Sequence, residues 1–397
     1  MRSFTVDQRR ARLGHRHGFA NALPDVTSVA EAMIALHASD PATVYLSAVA
    51  RLSEPSLDAM THALYDKRSV VRVLGMRRTL FVVSIPTLSV VERSSTDSVA
   101  VKERRRLERY LVDGGITEPT AWLDSVAAKI QSSVPTQGMT AREITKAVPE
   151  LATKIVMRAG SEKETAVGST SRVLGVLASE GLLQRGRPRG AWTGRQYQWH
   201  LRHEWLESQD GANGTSGDPT RQMDEQTAST ELLRRWLHVF GPAPLGDMTW
   251  WTGWTMAKVR AILNDLETVD VDLDGQPGLV MADDLDTDPT PDTWVALLPS
   301  LDPTPMGWTN RDWYLGPHRD RLFDRNGNIG PTVWIDGRIV GGWGQRPNGD
   351  VVTSVLEDIG SDHAAMIEQR AAELTRLLET TVVKPSFPTP LQSEIAG

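Results

Sequence analysis

The chain has 397 residues, a formal net charge of −7 and no cysteine. This length allows two or three domains. A chain without cysteine forms no disulfide framework, thiolate metal site or cysteine nucleophile, and it fits a reducing cytoplasm. The N-terminal residues have no apolar stretch typical of a secretory signal, and no apolar run approaches the roughly 20 residues of a membrane span. We therefore expect a cytoplasmic protein without membrane segments.

The charge is unevenly distributed along the chain. Residues 1–200 contain 28 Lys/Arg and 19 Asp/Glu, a net charge of +9, whereas residues 201–397 contain 15 and 31, a net charge of −16. A positive half within an acidic protein indicates that this half contacts a polyanion such as DNA or RNA. An ordinary solvated surface is the alternative explanation.

Residues 1–133 are predicted to form a winged helix-turn-helix with linking helices. A capping box at residues 28–31 starts a helix that runs to about Leu36. Asp40-Pro41 starts the next helix, with aspartate at the N-cap and proline at the first helical position. The other predicted elements of this unit are a helix from residue 56 and two strands over residues 69–74 and 79–83.

The same order of elements is predicted within residues 134–206. A capping box at residues 140–143 opens this second unit, and a later helix ends at Gly181. Two strands then flank residues 186–190, a basic loop with glycine and proline that is typical of a wing tip.

A third unit is predicted for residues 229–285, after a flexible linker over residues 207–228 that has few large apolar side chains. Its hairpin turns at Asp274-Gly275. The hairpin is acidic, so we expect this unit to pack against the rest of the protein rather than to contact DNA.

The remaining residues, 286–397, are predicted to form a β-rich domain of short antiparallel strands closed by a helix over residues 364–378. The proline-rich end from Lys384 is expected to be loose. The predicted fold class is therefore α+β, with three tandem winged helix-turn-helix units and a small antiparallel β-rich C-terminal domain.

Arginine side chains gather at the predicted wings and on the second recognition helix. Such residues contact phosphates and position a protein on DNA without reading its sequence. If seven of them each neutralised a phosphate, the logarithm of the binding constant would fall with the logarithm of salt concentration at a slope of roughly −6. The candidate DNA-binding residues are Arg77, Arg78, Arg172, Arg185, Arg187, Arg189 and Arg195.

Three polar residues, His37, Ser39 and Asp40, interrupt the apolar sequence between the first two helices. The N-cap role explains Asp40. Pro41 disfavours the helical region at Asp40, so the preceding helix should end earlier. Residues two apart in an extended segment point to the same side, so His37 and Ser39 can project together. His37 could then accept a proton from a water that Ser39 orients. Alternatively, His37 is an ordinary polar residue at a helix end.

No other motif indicates a cofactor or a metal. Residues 324–328 resemble half a calcium loop but lack its glycine and its final glutamate. The chain has no phosphate-binding glycine loop. No cofactor and no metal ligand are therefore expected.

Three stretches resemble the bacterial winged-helix DNA glycosylases of the AlkX/AlkZ group. They are LHASDPATVYL at residues 36–46, MRRTLF at residues 76–81, and LLPSLD at residues 297–302, followed by Arg311. The family usually has Gln-x-Gln or Gln-x-Asp, and occasionally His-x-Gln, where this chain has His37-Ala38-Ser39. Phe81 stands where the family frequently has histidine.

The resemblance implies hydrolysis of the N-glycosidic bond of alkylated or bulky purines in double-stranded DNA, including crosslinked DNA, by a monomer. It also implies that His37 and Ser39 are the catalytic residues, because the side chains at these positions hold the attacking water in the family. A catalytically silent DNA-binding or regulatory protein, and an interaction protein whose units merely pack, are the other functions that the sequence leaves open, since a fold does not establish a function.

Overall fold

A computed structural model describes residues 2–207, 223–386 and 388–396. Many helices surround several small, mostly antiparallel sheets, so the fold is mixed α+β, as the sequence predicts. Within these residues, no helix is both long enough and apolar enough to span a membrane.

The elements follow one another in short segments. The helices are α1 (Val6–Arg16), α2 (Val26–Ala32), α3 (Pro41–Val49), α4 (Leu57–Thr61), α5 (Ile85–Val91), α6 (Asp97–Asp113), α7 (Pro119–Ser133), α8 (Ala141–Ala147), α9 (Thr170–Ser179), α10 (Arg202–Glu207), α11 (Glu225–Phe240), α12 (Leu245–Thr252), α13 (Met256–Leu263), α14 (Asp312–Leu315), α15 (Arg319–Leu322), α16 (Gly360–Leu378) and α17 (Pro390–Ala396). The strands are β1 (Arg2–Ser3), β2 (Leu36–His37), β3 (Val70–Leu74), β4 (Leu80–Ser84), β5 (Met139–Thr140), β6 (Lys154–Met157), β7 (Thr165–Gly168), β8 (Leu183–Pro188), β9 (Tyr197–Leu201), β10 (Thr268–Leu273), β11 (Gln276–Met281), β12 (Val295–Leu298), β13 (Thr332–Ile335), β14 (Arg338–Gln345) and β15 (Val351–Val355). Short π-helical or 3₁₀ segments cover His62–Asp66, Met76–Arg78, Glu92–Thr96, Pro149–Ala152 and Ala282–Asp284.

Helix α2 differs from its predicted bounds at both ends. Its N-cap is Asp25, whose carboxylate accepts a hydrogen bond from the Ser28 N–H at 2.8 Å, so the helix begins before the predicted capping box. Ile34 has a positive φ of 64°, a conformation that cannot continue a helix. The chain is therefore extended again by Leu36, which allows β2 to form.

The same strand arrangement occurs twice. In each case a short strand (β2 or β5) pairs with the second strand of a hairpin (β4 or β9), giving sheets in the order β2-β4-β3 and β5-β9-β8. Residues 225–281 contain three helices followed by a hairpin. Here an isolated β-bridge between Ala243 and Leu279 stands in place of the short strand. The N-terminal strand β1 extends this last hairpin by pairing in parallel with β10.

The C-terminal part contains the four-stranded sheet β12-β13-β14-β15, against which α16 packs. Helix α16 begins at Gly360, a few residues before the predicted start. The prediction of a loose C-terminal end is wrong. Leu391 is only 1% exposed and belongs to the main hydrophobic core, because the apolar residues of α17 cover β14.

The second unit has a hydrophobic core of its own, which includes Leu107, Leu123 and Ile130 from α6 and α7. These residues precede the predicted boundary at residue 134, so the preceding helices pack with the second unit. The predicted linker over residues 207–228 lies mostly outside the described residues. Its last four residues belong to α11, which Asp224 caps.

A buried ion pair joins the first unit to the C-terminal part. Arg51 donates two hydrogen bonds to the Asp302 carboxylate, at 2.7 and 2.9 Å, and neither side chain is exposed. Thr304 accepts a further bond from Arg51 at 2.7 Å and contacts the buried His17 ring. The LLPSLD stretch at residues 297–302 thus supplies a structural contact between two parts of the chain.

Candidate active site

His37 lies in β2, which is two residues long and pairs with β4. The residue opposite is Phe81, whose ring meets the His37 ring edge-on with 5.5 Å between the ring centres. Only 7% of His37 is exposed, and its Nδ1 atom has no hydrogen-bond partner among the described residues. Burial, helped by the positive charge of Arg77, lowers the pKa of His37 from 6.5 to about 3. The imidazole is therefore neutral near pH 7.

Two buried histidines predict an acid-dependent loss of stability. Burial, followed by the charge of Arg51, also lowers the pKa of His17 to about 3. Because both folded-state pKa values lie below the unfolded value, unfolding takes up protons below about pH 6.5, and stability is lost from there down to about pH 3. At pH 5 we expect the free energy of unfolding to be lower than at pH 7.5 by about 2 kcal/mol for each histidine.

Urea unfolding at the two pH values measures this difference. The His37→Gln variant should lose about 2 kcal/mol of this pH dependence, because the contribution of His37 is gone. An unchanged pH dependence in this variant would show that His37 does not titrate as its burial requires.

Ser39 is in a different environment from His37. It lies in a bend after β2 and is exposed, and it lines a cleft with a volume of about 570 Å³. His37 is not among the described residues that line this cleft. The structure thus brings Ser39 to a surface that a large ligand can reach, while the neighbouring strand encloses His37.

Asp40 is an N-cap, as predicted. Its Oδ1 accepts a hydrogen bond from the Ala42 N–H at 3.0 Å, and Pro41 occupies the first position of α3. Its Oδ2 accepts a hydrogen bond from the Ser386 N–H at 3.2 Å and another from the Ser386 hydroxyl. The same hydroxyl accepts a hydrogen bond from the Arg195 guanidinium. Ser386 therefore connects the residue after Ser39 to the second unit.

The cleft beside Ser39 is strongly basic. It lies between the β2–α3 connection and the second unit, and no carboxylate is among the described residues that line it. An adjoining cleft of about 330 Å³ shares Leu80, Ser171 and Arg185 with it and contains one carboxylate, Glu103. The arginines that line one or both clefts are Arg72, Arg106, Arg142, Arg172, Arg185, Arg189 and Arg195.

Four of the seven candidate DNA-binding residues line these clefts: Arg172, Arg185, Arg189 and Arg195. The other three lie elsewhere. Arg78 pairs with Glu103 at 2.6 Å, and Arg187 pairs with Asp66 at 2.7 Å. The contribution of each residue to DNA binding stays a prediction.

Arg77 is half-buried rather than projecting from a wing tip. Its guanidinium lies 4.0 Å from the centre of the Trp250 ring, and that of Arg311 lies 4.9 Å from the same ring. The Nε of Arg77 has no hydrogen-bond partner in the described part of the chain. Burial, followed by the charge of Arg311, lowers the pKa of Arg77 to about 10. This cation–π contact ties the first unit to α12.

Sequence reasoning missed several residues of the clefts. Arg72 interrupts the apolar strand β3 and is 5% exposed, and its guanidinium donates a hydrogen bond to the Tyr65 hydroxyl at 2.7 Å. A charged residue in an otherwise apolar strand was the available signal. Arg142 lies within the second capping box, and Gln196 and Tyr197 lie beside Arg195, where neither spacing nor periodicity distinguishes them from surface residues.

The described residues include no group of three or more His, Cys, Asp or Glu side chains arranged to hold a metal ion. The polar side chains that line the two clefts are arginines, hydroxyl-bearing residues, the amides Gln184 and Gln196, and the single carboxylate Glu103.

The comparisons with known proteins point to one family. The model of the AlkZ-like family, described as DNA glycosylase AlkZ-like, matches residues 30–378. The DNA glycosylase AlkZ of Streptomyces sahachiroi has a similar structure, with a TM-score of 0.70, 21% sequence identity, and coverage of 96% of this chain and 98% of that one. The comparison with curated proteins gave no match. Because the family model spans most of the sequence, including all three stretches noted above, this chain belongs to the AlkZ-like DNA glycosylase family.

Proposed function

We propose that this protein is a monofunctional DNA glycosylase that acts as a monomer on double-stranded DNA. It hydrolyses the N-glycosidic bond of alkylated or bulky purine adducts with a water held at the His37–Ser39 stretch. One observation carries the proposal: Ser39 is exposed on the wall of a cleft whose charged side chains are all arginines. Arginines attract the phosphate backbone, and the serine hydroxyl can accept a hydrogen bond from water.

The composition of the cleft favours an adduct that is already positively charged. Arginine cannot act as a general acid, and the described lining of the cleft beside Ser39 has no carboxyl group to protonate a leaving base. An N7- or N3-alkylated purine carries its own positive charge, so it leaves without protonation. Alkylated purines therefore fit this site better than unmodified bases.

We propose that the repeated elements are winged-helix units, and that the first two form the DNA-binding face. The shared strand orders β2-β4-β3 and β5-β9-β8 support this assignment, as does the position of the clefts between these units. A third unit over residues 229–285 would then pack rather than bind, in keeping with its acidic hairpin and with the cation–π contact between Arg77 and Trp250.

The decisive experiment is base release from methylated duplex DNA. The freed N7-methylguanine and N3-methyladenine are measured after incubation with the full chain, with protein-free DNA as the control. Release well above the control supports the proposal, and release equal to the control contradicts it.

A catalytically silent DNA-binding protein is the second candidate. The burial of His37 favours it, because a side chain outside the cleft does not reach a substrate in it. Tight, salt-dependent binding of duplex DNA without base release would identify this function.

Binding to DNA should depend on the arginines of the cleft. Arg142 is exposed and forms no ion pair with the described residues, so its guanidinium is available to a phosphate. We expect Arg142→Gln to weaken duplex binding and to make the slope of log K against log salt less negative by about 0.9. Fluorescence anisotropy at several salt concentrations measures this slope. Arg234→Gln, which removes an exposed arginine outside the clefts, is the control, and equal slopes for both variants would exclude Arg142 as a phosphate ligand.

A further inference from the structure

Few of the side chains beside Ser39 are able to hold a water molecule for attack. A nucleophilic water needs a hydrogen-bond acceptor, and arginine has none. The side chains of the lining that do have an acceptor are Ser39, Thr140, Ser171, Gln196 and Tyr197. The choice of a second group to act with Ser39 is therefore a choice among four residues.

Of the four, Thr140 is already hydrogen-bonded and Tyr197 is partly buried. The Thr140 hydroxyl accepts a hydrogen bond from the Glu143 N–H at 3.3 Å and donates one to the Glu143 carboxylate at 2.8 Å. Tyr197 is half-buried, with its ring 5.0 Å from the guanidinium of Arg72. Ser171 is exposed, but its hydroxyl has the same short reach as that of Ser39.

Gln196 is exposed, and its side-chain amide makes no hydrogen bond within the described part of the chain. Its backbone is held in place, because the Gln196 carbonyl accepts a hydrogen bond from the Arg189 N–H at 2.8 Å. The preceding residue, Arg195, is linked through the Ser386 hydroxyl to Asp40, the residue after Ser39. Gln196 thus lines the same cleft as Ser39 and has a long side-chain amide that makes no hydrogen bond with the described residues.

We propose that Gln196 supplies the second water-holding side chain of this enzyme, from the second unit rather than from the β2 motif. Ser39 is the one polar side chain of the motif that lines the cleft, since His37 is enclosed by β4. The amide oxygen of Gln196 accepts a hydrogen bond from the water. This inference rests on the proposed glycosylase function.

The reaction then balances without another reactant. The water oxygen forms a bond to the anomeric carbon of the deoxyribose while the bond from that carbon to the purine nitrogen breaks. The electron pair of the broken bond neutralises the cationic base, which leaves as a neutral molecule. The sugar keeps a hydroxyl group, and the remaining water proton passes to the solvent. Gln196 and Ser39 orient the water, and neither side chain is consumed.

The test measures base release and duplex affinity separately for Gln196→Ala and Gln196→Met. Methionine has a similar length but no amide oxygen. We expect single-turnover base release to fall roughly 10²-fold in both variants, while the duplex Kd changes less than twofold, because a neutral side chain releases no counterions. Gln198→Ala, which changes the same residue type two positions further along in β9 and not among the lining residues, should keep the wild-type rate within twofold.

A third variant distinguishes catalysis from folding. Gln196→Glu keeps an acceptor for the water, so it should retain more activity than Gln196→Ala, and its rate should rise with pH as the new carboxyl group ionises. If Gln196→Ala and Gln196→Met both release base at the wild-type rate, this inference is wrong and the proposed function still stands. If the wild-type chain releases no base, the proposed function and this inference both fail.

Discussion

Base release by the Ser39→Ala variant is expected to be about 10²–10³-fold slower than by the wild-type chain, which corresponds to about 2.7–4 kcal/mol of lost transition-state stabilisation. Ser39 is exposed on the cleft wall and its hydroxyl makes no hydrogen bond within the described residues, so its removal should not disturb the fold. The loss should appear in the single-turnover rate and not in the duplex Kd, because the hydroxyl carries no charge.

The matched control is Ser53→Ala, which removes an exposed serine hydroxyl outside the cleft. It should retain the wild-type rate. A Ser39→Ala variant that is as fast as this control would mean that the water is held by other groups. If the Ser39 and Gln196 side chains orient one water together, the double variant should lose much less than the product of the two single losses.

The Asp302→Ala variant is expected to lose about 3–5 kcal/mol of folding free energy, because it leaves the Arg51 guanidinium buried without its charged partner. Both side chains are fully buried, and the two bonds between them span the first unit and the C-terminal part. Asp302 also accepts a hydrogen bond from the Thr304 N–H at 2.9 Å, which the substitution removes as well. Urea unfolding near pH 7.5 measures this change.

Two further variants separate the buried charge from other effects. Replacing both partners, with Arg51→Met and Asp302→Leu, should recover most of the lost stability, since no charge then remains unpaired. Arg321→Gln breaks an exposed ion pair with Glu394 and should change stability by less than about 1 kcal/mol. A loss of less than about 1 kcal/mol in Asp302→Ala would contradict this account of the ion pair.

This chain differs from the family pattern in the polar side chains that its motif presents to the cleft. Where the family usually presents two long polar side chains from one motif, this chain has an enclosed neutral histidine and a short serine. Under our proposal the amide comes instead from residue 196, across the cleft. A site assembled from two units depends on their relative position, which the Asp40–Ser386–Arg195 connection helps to maintain.

Local sequence signals determined much of the fold. Asp40-Pro41 predicts the start of α3, the capping box at residues 140–143 predicts the start of α8, and Asp274-Gly275 predicts the hairpin turn, because each depends on side chains within a few residues. The sequences of residues 36–46, 76–81 and 297–302 were sufficient to identify the family, which the family model confirms.

Only the tertiary structure decided what each polar side chain meets. Because side chains alternate between the two sides of an extended segment, the sequence predicted that His37 and Ser39 point to the same side. In the structure the pairing of β2 with β4 encloses His37, and the bend that follows exposes Ser39. Arg77 was expected on a wing, yet it lies against Trp250, more than 170 residues further along the chain. Sequence patterns report periodicity and capping, which are local, whereas burial and charge partners depend on contacts between distant elements. For this reason the sequence identified the His37-Ala38-Ser39 stretch, and only the folded chain showed that Ser39 lines the basic cleft together with Gln196.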